Sequence, residues 1–320
     1  MASINGHSSV VEILLKNKAN IEAQQLDKYT PLHFASENGH SSVIEILLSN
    51  KANIDAQQID QFTPLHFACQ SGHTSVVKIL ISNKANIESQ QKDQFSPLHI
   101  ACENGYSPVV EMLLSNKANI EALEMDQYTP LHLASLKGSA AIVEILLSKK
   151  AKIEAQQKDQ YTPLHIACVE GHDSVVEILL SGKANIEAQQ INQCTPLHLA
   201  SEYKHSSIIE ILLSNKANVE AKQKDGLTPV QIPNDSNTVK LLLFRVLSYK
   251  NLMSPSYLSI LKPLFQIDIN TEASNIRILM DIIVYLIQND LKTYLCDIDL
   301  AALVNSIENL FKNQIEVNDW

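Results

Sequence analysis

Short apolar runs recur along the chain at helical spacing, each set in the same polar frame. Ile44, Leu47 and Leu48 fall at i, i+3 and i+4, as do Val77, Leu80 and Ile81, and again Val110, Leu113 and Leu114. That spacing lays one apolar stripe along a helix, and the stripe needs a neighbour to cover it. Upstream of each stripe stands TPLH or SPLH: Thr30 to His33, Thr63 to His66, Ser96 to His99, Thr129 to His132, Thr162 to His165 and Thr195 to His198, in steps of 33 residues. A damaged copy, Thr228-Pro229-Val230-Gln231, falls at the next step.

Thr followed by Pro marks a helix start, because Pro in the first turn loses nothing by lacking its N–H and the Thr hydroxyl can cap free N–H groups. The frame therefore predicts a short first helix from each TPLH to Gly39, Gly72, Gly105, Gly138 or Gly171, where glycine ends the helix in the left-handed region. The striped second helix follows at once. The remaining stretch, such as AQQKDQY, is polar and carries an Asp or Asn at a turn position (Asp27, Asp60, Asp93, Asp126, Asp159, Asn192 and Asp225), which predicts a projecting hairpin. One such unit buries too little apolar surface to fold alone, so the units must stack and share a core.

The 33-residue period and the TPLHxA, GH and VVEILL blocks resemble the ankyrin repeat over roughly residues 1–250. The expected fold class is all-α dominated: an ankyrin-repeat solenoid of helix-turn-helix plus β-hairpin units, with a C-terminal helical segment. Two positions depart from the family's glycines. The hairpin holds Lys28, Gln61, Gln94, Gln127, Gln160 and Gln193, and the end of the second helix holds Lys18, Lys51, Lys84 and Lys117. Either these residues are left-handed, at about 1 to 2 kcal/mol each, or the preceding Asn50, Asn83 and Asn116 absorb the turn. The resemblance also implies that the TPLH histidine hydrogen-bonds between neighbouring repeats. A metal ladder of these histidines is excluded by distance, since stacked helices lie about 8 to 10 Å apart and zinc needs its ligands at about 2 Å.

Composition narrows the function. The chain is 45% apolar and 19% charged with a net charge of −10, and its only arginines are Arg245 and Arg277. Nucleic-acid binders cluster Lys and Arg on one face, so nucleic acid is not an expected partner. Cys69, Cys102, Cys168, Cys194 and Cys296 form no CxxC pair, and no signal peptide opens the chain, which points to a cytoplasmic, reducing setting. Cys69, Cys102 and Cys168 replace Ser36, Ser135 and Ser201 of other copies and read as small buried thiols. No segment approaches the roughly 20 apolar residues of a membrane helix. No nucleophile elbow, P-loop, HExxH or dinucleotide fingerprint occurs, so no enzyme, cofactor or metal is expected.

The resemblance places partner binding on the hairpin tips and first helices, which line a concave face. The tips read QQLDKY, QQIDQF, QQKDQF, LEMDQY, QQKDQY and QQINQC, and the residues after the first-helix alanine read SEN, CQS, CEN, SLK, CVE and SEY. The middle and late copies diverge, which nominates Leu123, Met125, Tyr128, Leu136, Lys137, Tyr161, Val169, Glu170, Cys194 and Tyr203 as partner-binding residues. The row Tyr29, Phe62, Phe95, Tyr128 and Tyr161 has a second reading, packing of the hairpin base onto the next repeat.

At the start, Met1-Ala2 aligns with Phe34-Ala35, inside a repeat, leaving an edge that could associate although a monomer is expected. The expected domains are repeats over 1–247, first copy truncated and last copy degenerate, and a helical cap or docking segment over 248–320. The resulting expectation is a non-catalytic scaffold or adaptor for protein partners. The alternatives are a stoichiometric inhibitor, or a substrate-recognition subunit that joins a larger enzyme assembly through its tail.

Overall fold

A computed structural model describes residues 1–232; the end of the degenerate last copy and the helical segment expected over 248–320 lie outside the described residues. The chain divides into two compact units, Met1–Ile191 and Asn192–Trp320. The first holds α1 (Ser8–Lys16), α2 (Pro31–Glu37), α3 (Ser41–Ser49), α4 (Pro64–Gln70), α5 (Thr74–Ser82), α6 (Pro97–Asn104), α7 (Ser107–Ser115), α8 (Pro130–Lys137), α9 (Ala140–Ser148), α10 (Pro163–Glu170) and α11 (Asp173–Ser181). In the second, α12 (Pro196–Glu202) and α13 (Ser206–Ser214) pack on each other.

Each first helix begins at the proline of TPLH or SPLH, as the sequence predicts. In the first unit the helices form two layers. First helices α2, α4, α6, α8 and α10 pack side by side, and second helices α1, α3, α5, α7, α9 and α11 do the same. The stripes fill the space between them: Ile44, Leu47, Val77, Leu80, Val110, Leu113, Val143 and Leu146 are all fully buried. On α1, by contrast, Val10, Ile13 and Leu14 stay exposed, because no described element packs on that side as α1 packs on α3.

The chain turns where glycine was expected to turn it. Gly39 lies at φ 77°, and a Cβ there would come within 2.9 Å of the His73 ring of the next copy, so the site needs both the left-handed backbone and the missing side chain. The two non-glycine turns resolve in favour of direct strain. Lys18, Lys51, Lys84 and Lys117 at the helix ends, and Lys28, Gln61, Gln94 and Gln127 in the hairpins, all have φ between 62° and 71°. Asn50 stays at φ −93° and uses its side-chain amide instead, donating to the Ile46 carbonyl at 2.8 Å.

The tips are hairpin turns without strands. They close through a pair of backbone bonds within the turn, such as Gln58 N–H to the Phe62 carbonyl at 3.1 Å and Gln61 N–H to the Gln58 carbonyl at 2.9 Å. No strand forms among the described residues, so the expected β-hairpin is present only as a turn. Neighbouring tips are stitched by the backbone: Ile59 N–H to Asp27 O, Lys92 N–H to Asp60 O, Met125 N–H to Asp93 O and Lys158 N–H to Asp126 O, at 3.0 to 3.2 Å. A second row of stitches comes from acids that accept a backbone N–H of the following copy, as Glu22 does from Asn53 and Glu88 from Asn119.

Candidate protein-binding face

The six TPLH histidines are structural, and their bonding shows how. Thr63 N–H points at His66 Nδ1, 3.1 Å away, and a backbone N–H can only donate. Nδ1 is therefore the acceptor and the ring proton sits on Nε2, which donates to the Phe95 carbonyl of the next copy at 3.1 Å. The pattern repeats at His33 with Phe62, at His99 with Tyr128 and at His132 with Tyr161. Burial holds these rings well below the usual imidazole range, partly opposed by the carbonyl each one meets; His66, His99 and His132 are lowered to about 4. Protonation would also turn Nδ1–H against a backbone N–H. With both ring nitrogens engaged, these side chains take no part in surface chemistry.

Cys69, Cys102 and Cys168 are fully buried, and burial raises their thiols far above the normal range. They are inert packing groups, as their alignment with serines suggests. The aromatic row is half-buried at the hairpin base, each ring 5.6 to 5.8 Å from the histidine of its own copy. Packing therefore accounts for much of Tyr128 and Tyr161, and their remaining surface belongs to the tip-and-first-helix face.

In the first unit, Met125 and Leu123 are each 47% exposed and Leu136 36%. Met125, Tyr128 and Leu136 line one open cleft of about 340 Å³, between residues 93–95 and 124–128 of two adjacent tips and helices α6 and α8. Leu136 occupies the position that Glu37, Gln70 and Glu103 hold in other copies, an outward one, so its exposure follows from the frame. Lys137 and Glu170 are exposed at the ends of α8 and α10, and Val169 and Tyr161 are half-buried; none of these four, nor Leu123, forms part of that cleft. In the second unit Tyr203 is 51% exposed, whereas Cys194 is buried, with its thiol raised by burial and by Glu202 and Asp225. Cys194 takes the place of the hairpin-base aromatic, a packing position.

Comparing the copies for apolar replacements passed over residues of two kinds. Leu26, Ile59 and Ile191 project from their tips at the position of Met125, and all are exposed. They escaped notice because the apolar residue is common there and only Lys92 and Lys158 break the row. Glu124 is the second kind. It replaces the glutamine of Gln58, Gln91, Gln157 and Gln190, and is only 6% exposed. Its Oε1 accepts from Asp126 N–H at 2.9 Å, the bond that Gln58, Gln91 and Gln157 make to the N–H of Asp60, Asp93 and Asp159, and also from Tyr128 N–H at 2.8 Å. Opposite it, burial pushes the Glu103 carboxyl up and Lys137 pulls it down.

Paired helices and projecting tips at a 33-residue period define a class: a helical repeat protein. A family model described as ankyrin repeats (3 copies) matches residues 1–58, 53–124, 85–157, 121–190 and 154–223. The chain belongs to the ankyrin-repeat family. Among solved structures it is similar to the crystal structure of the human ASB11 ankyrin repeat domain, at 28% identity and a TM-score of 0.64, over 68% of this chain and 98% of that one. No curated protein matches the chain. Ankyrin repeats generally mediate protein–protein interaction and are typically non-catalytic. No helix among the described residues is long and apolar enough to cross a membrane.

Proposed function

We propose that this chain is a non-catalytic scaffold or adaptor that holds partner proteins on the face built by its tips and first helices. The carrying observation is the cleft lined by Met125, Tyr128 and Leu136, where an exposed Leu136 stands at a position that Glu37, Gln70, Glu103 and Glu202 hold in other copies, beside an exposed Met125. Exposed apolar groups ringed by polar residues are the composition of an interaction hot spot. The outer face of the second helices offers a contrast, with Glu111, Glu144 and Glu177 outermost. Leu123, Lys137, Tyr161, Val169 and Glu170, with Tyr203 in the second unit, extend the same reading, and Cys194 supports it from within as a packing residue.

The test compares affinity capture from the native cell by the intact chain, by Leu136→Glu with Tyr203→Glu, and by Glu111→Lys with Glu144→Lys. The expected result is loss of captured proteins with the first double variant and retention with the second. Equal retention by both would place binding away from the tip-and-first-helix face.

A further inference from the structure

The cleft described above carries a chemistry that its apolar wall does not explain. Asp93, Glu103, Glu124 and Asp126 all line it, and no lysine or arginine does. Asp126 has a partner outside, the Lys158 ammonium at 3.0 Å, and Glu103 lies in the field of Lys137. Glu124 differs. It is more than nine-tenths buried, both its hydrogen bonds end on Oε1, and Oε2 meets no donor among the described residues. Gln58, Gln91 and Gln157 accept the matching N–H of Asp60, Asp93 and Asp159 with a neutral side chain, so that bond does not require a charge at this place. Oε2 is the part of this side chain that reaches the cleft, so the carboxylate oxygen without a donor is the one that a visiting cation can meet.

We propose that this cleft receives the cationic head of an arginine or lysine carried by an extended segment of the partner protein, and that this is what the fourth tip recognises. The head meets Glu124 Oε2, with Asp93 and Glu103 at the rim. The aliphatic stem lies on Met125, Tyr128 and Leu136, the arrangement by which long cationic side chains bury their carbons while keeping the head among polar groups. An apolar residue beside the cation covers the rest of the wall. The planar, multidentate guanidinium suits three carboxylates better than an ammonium, so arginine is the preferred residue. This inference rests on the scaffold reading and names the partner's chemistry within it.

The experiment selects peptides from a randomised dodecapeptide library on the full chain and, in parallel, on Glu124→Gln, a substitution with the residue the other tips already use. The intact chain should enrich peptides with arginine or lysine next to an apolar residue, and the best of these should bind Glu124→Gln about tenfold or more weakly. Enriched peptides without a basic residue, equal binding by both proteins, or no enrichment at all would each overturn the inference. The capture experiment with Leu136→Glu and Tyr203→Glu is independent of it. Face-dependent capture without basic-peptide selection sinks the cleft chemistry alone, and loss of face-dependent capture sinks the scaffold reading as well.

Discussion

Acid should unfold this protein through its buried histidine row, and the size of the effect follows from the structure. His66, His99 and His132 are held near 4 in the fold, against about 6.5 when the chain is unfolded. Between those values the unfolded chain binds protons that the folded chain refuses, so stability is complete above about pH 6.5 and falls as the pH drops toward 4. By pH 5 each ring contributes a loss of about 2 kcal/mol, or about 6 kcal/mol for the three, comparable with the whole stability of many domains. His33 and His198 are lowered in the same direction and add to it. The assay is urea unfolding followed by far-UV circular dichroism at pH 7.5 and pH 5. It should be run on the intact chain and on a variant with His66, His99 and His132 all changed to Gln. The chain itself supplies the precedent for Gln, since Thr228 N–H donates to Gln231 Oε1 at 2.9 Å in the seventh copy. The variant should be weaker at neutral pH, having lost the bonds to the next copy, but its stability should change far less between the two conditions. If the intact chain and the variant lose the same stability on acidification, the histidine account is wrong and surface carboxylates govern the response.

Two further predictions concern stability. Ser36 is fully buried and its hydroxyl has no hydrogen-bond partner, whereas Ser135 and Ser201 bond to the carbonyls of Leu131 and Leu197. Ser36→Cys, the residue of three sister copies, should raise stability by about 1 kcal/mol in urea unfolding; a loss would mean that the hydroxyl is satisfied in solution. Lys84 and Lys117 sit at φ 71° and 69° with exposed side chains, and changing both to Gly should raise the melting temperature. The gain is about 1 to 2 kcal/mol per relieved residue, less about 0.4 to 1 kcal/mol for the freer unfolded chain. A fall in melting temperature would show that these turns are not strained.

Much of the fold was legible because the repeat states it many times. Thr-Pro at each first helix, Gly39 and its equivalents at the turns, and the stripe of Ile44 and Leu47 each follow from local rules that tertiary context has no reason to override. The left-handed Lys51 and Gln61 were legible only as a choice between two geometries. The deciding fact, that the Asn50 side chain is already committed to the Ile46 carbonyl, requires coordinates. The hairpin forms a turn without strands, and a polar stretch with an Asp turn looks the same in sequence whether it closes within one turn or extends into a ladder.

The candidate face was less legible than the fold. Leu136 stood out as an apolar residue in a mostly polar row and Met125 as part of a divergent tip, and they do meet in one cleft. Glu124 did not stand out, since an acid on a surface tip looks unremarkable until its burial is known. Cys194 looked like a variable tip residue, but it fills the packing position of the hairpin-base aromatic. Sequence comparison between copies finds where a surface changes and says little about how deep each change lies.

The central claim is that partners dock on the tips and first helices rather than on the outer second helices. The most direct measurement is photo-crosslinking in the native cell, with a photoreactive amino acid placed at Leu136 in one protein and at Glu144 in another. Discrete crosslinked proteins from Leu136 and none from Glu144 are the predicted result. Crosslinks from Glu144 alone would contradict the account and move the binding surface to the other side of the repeat.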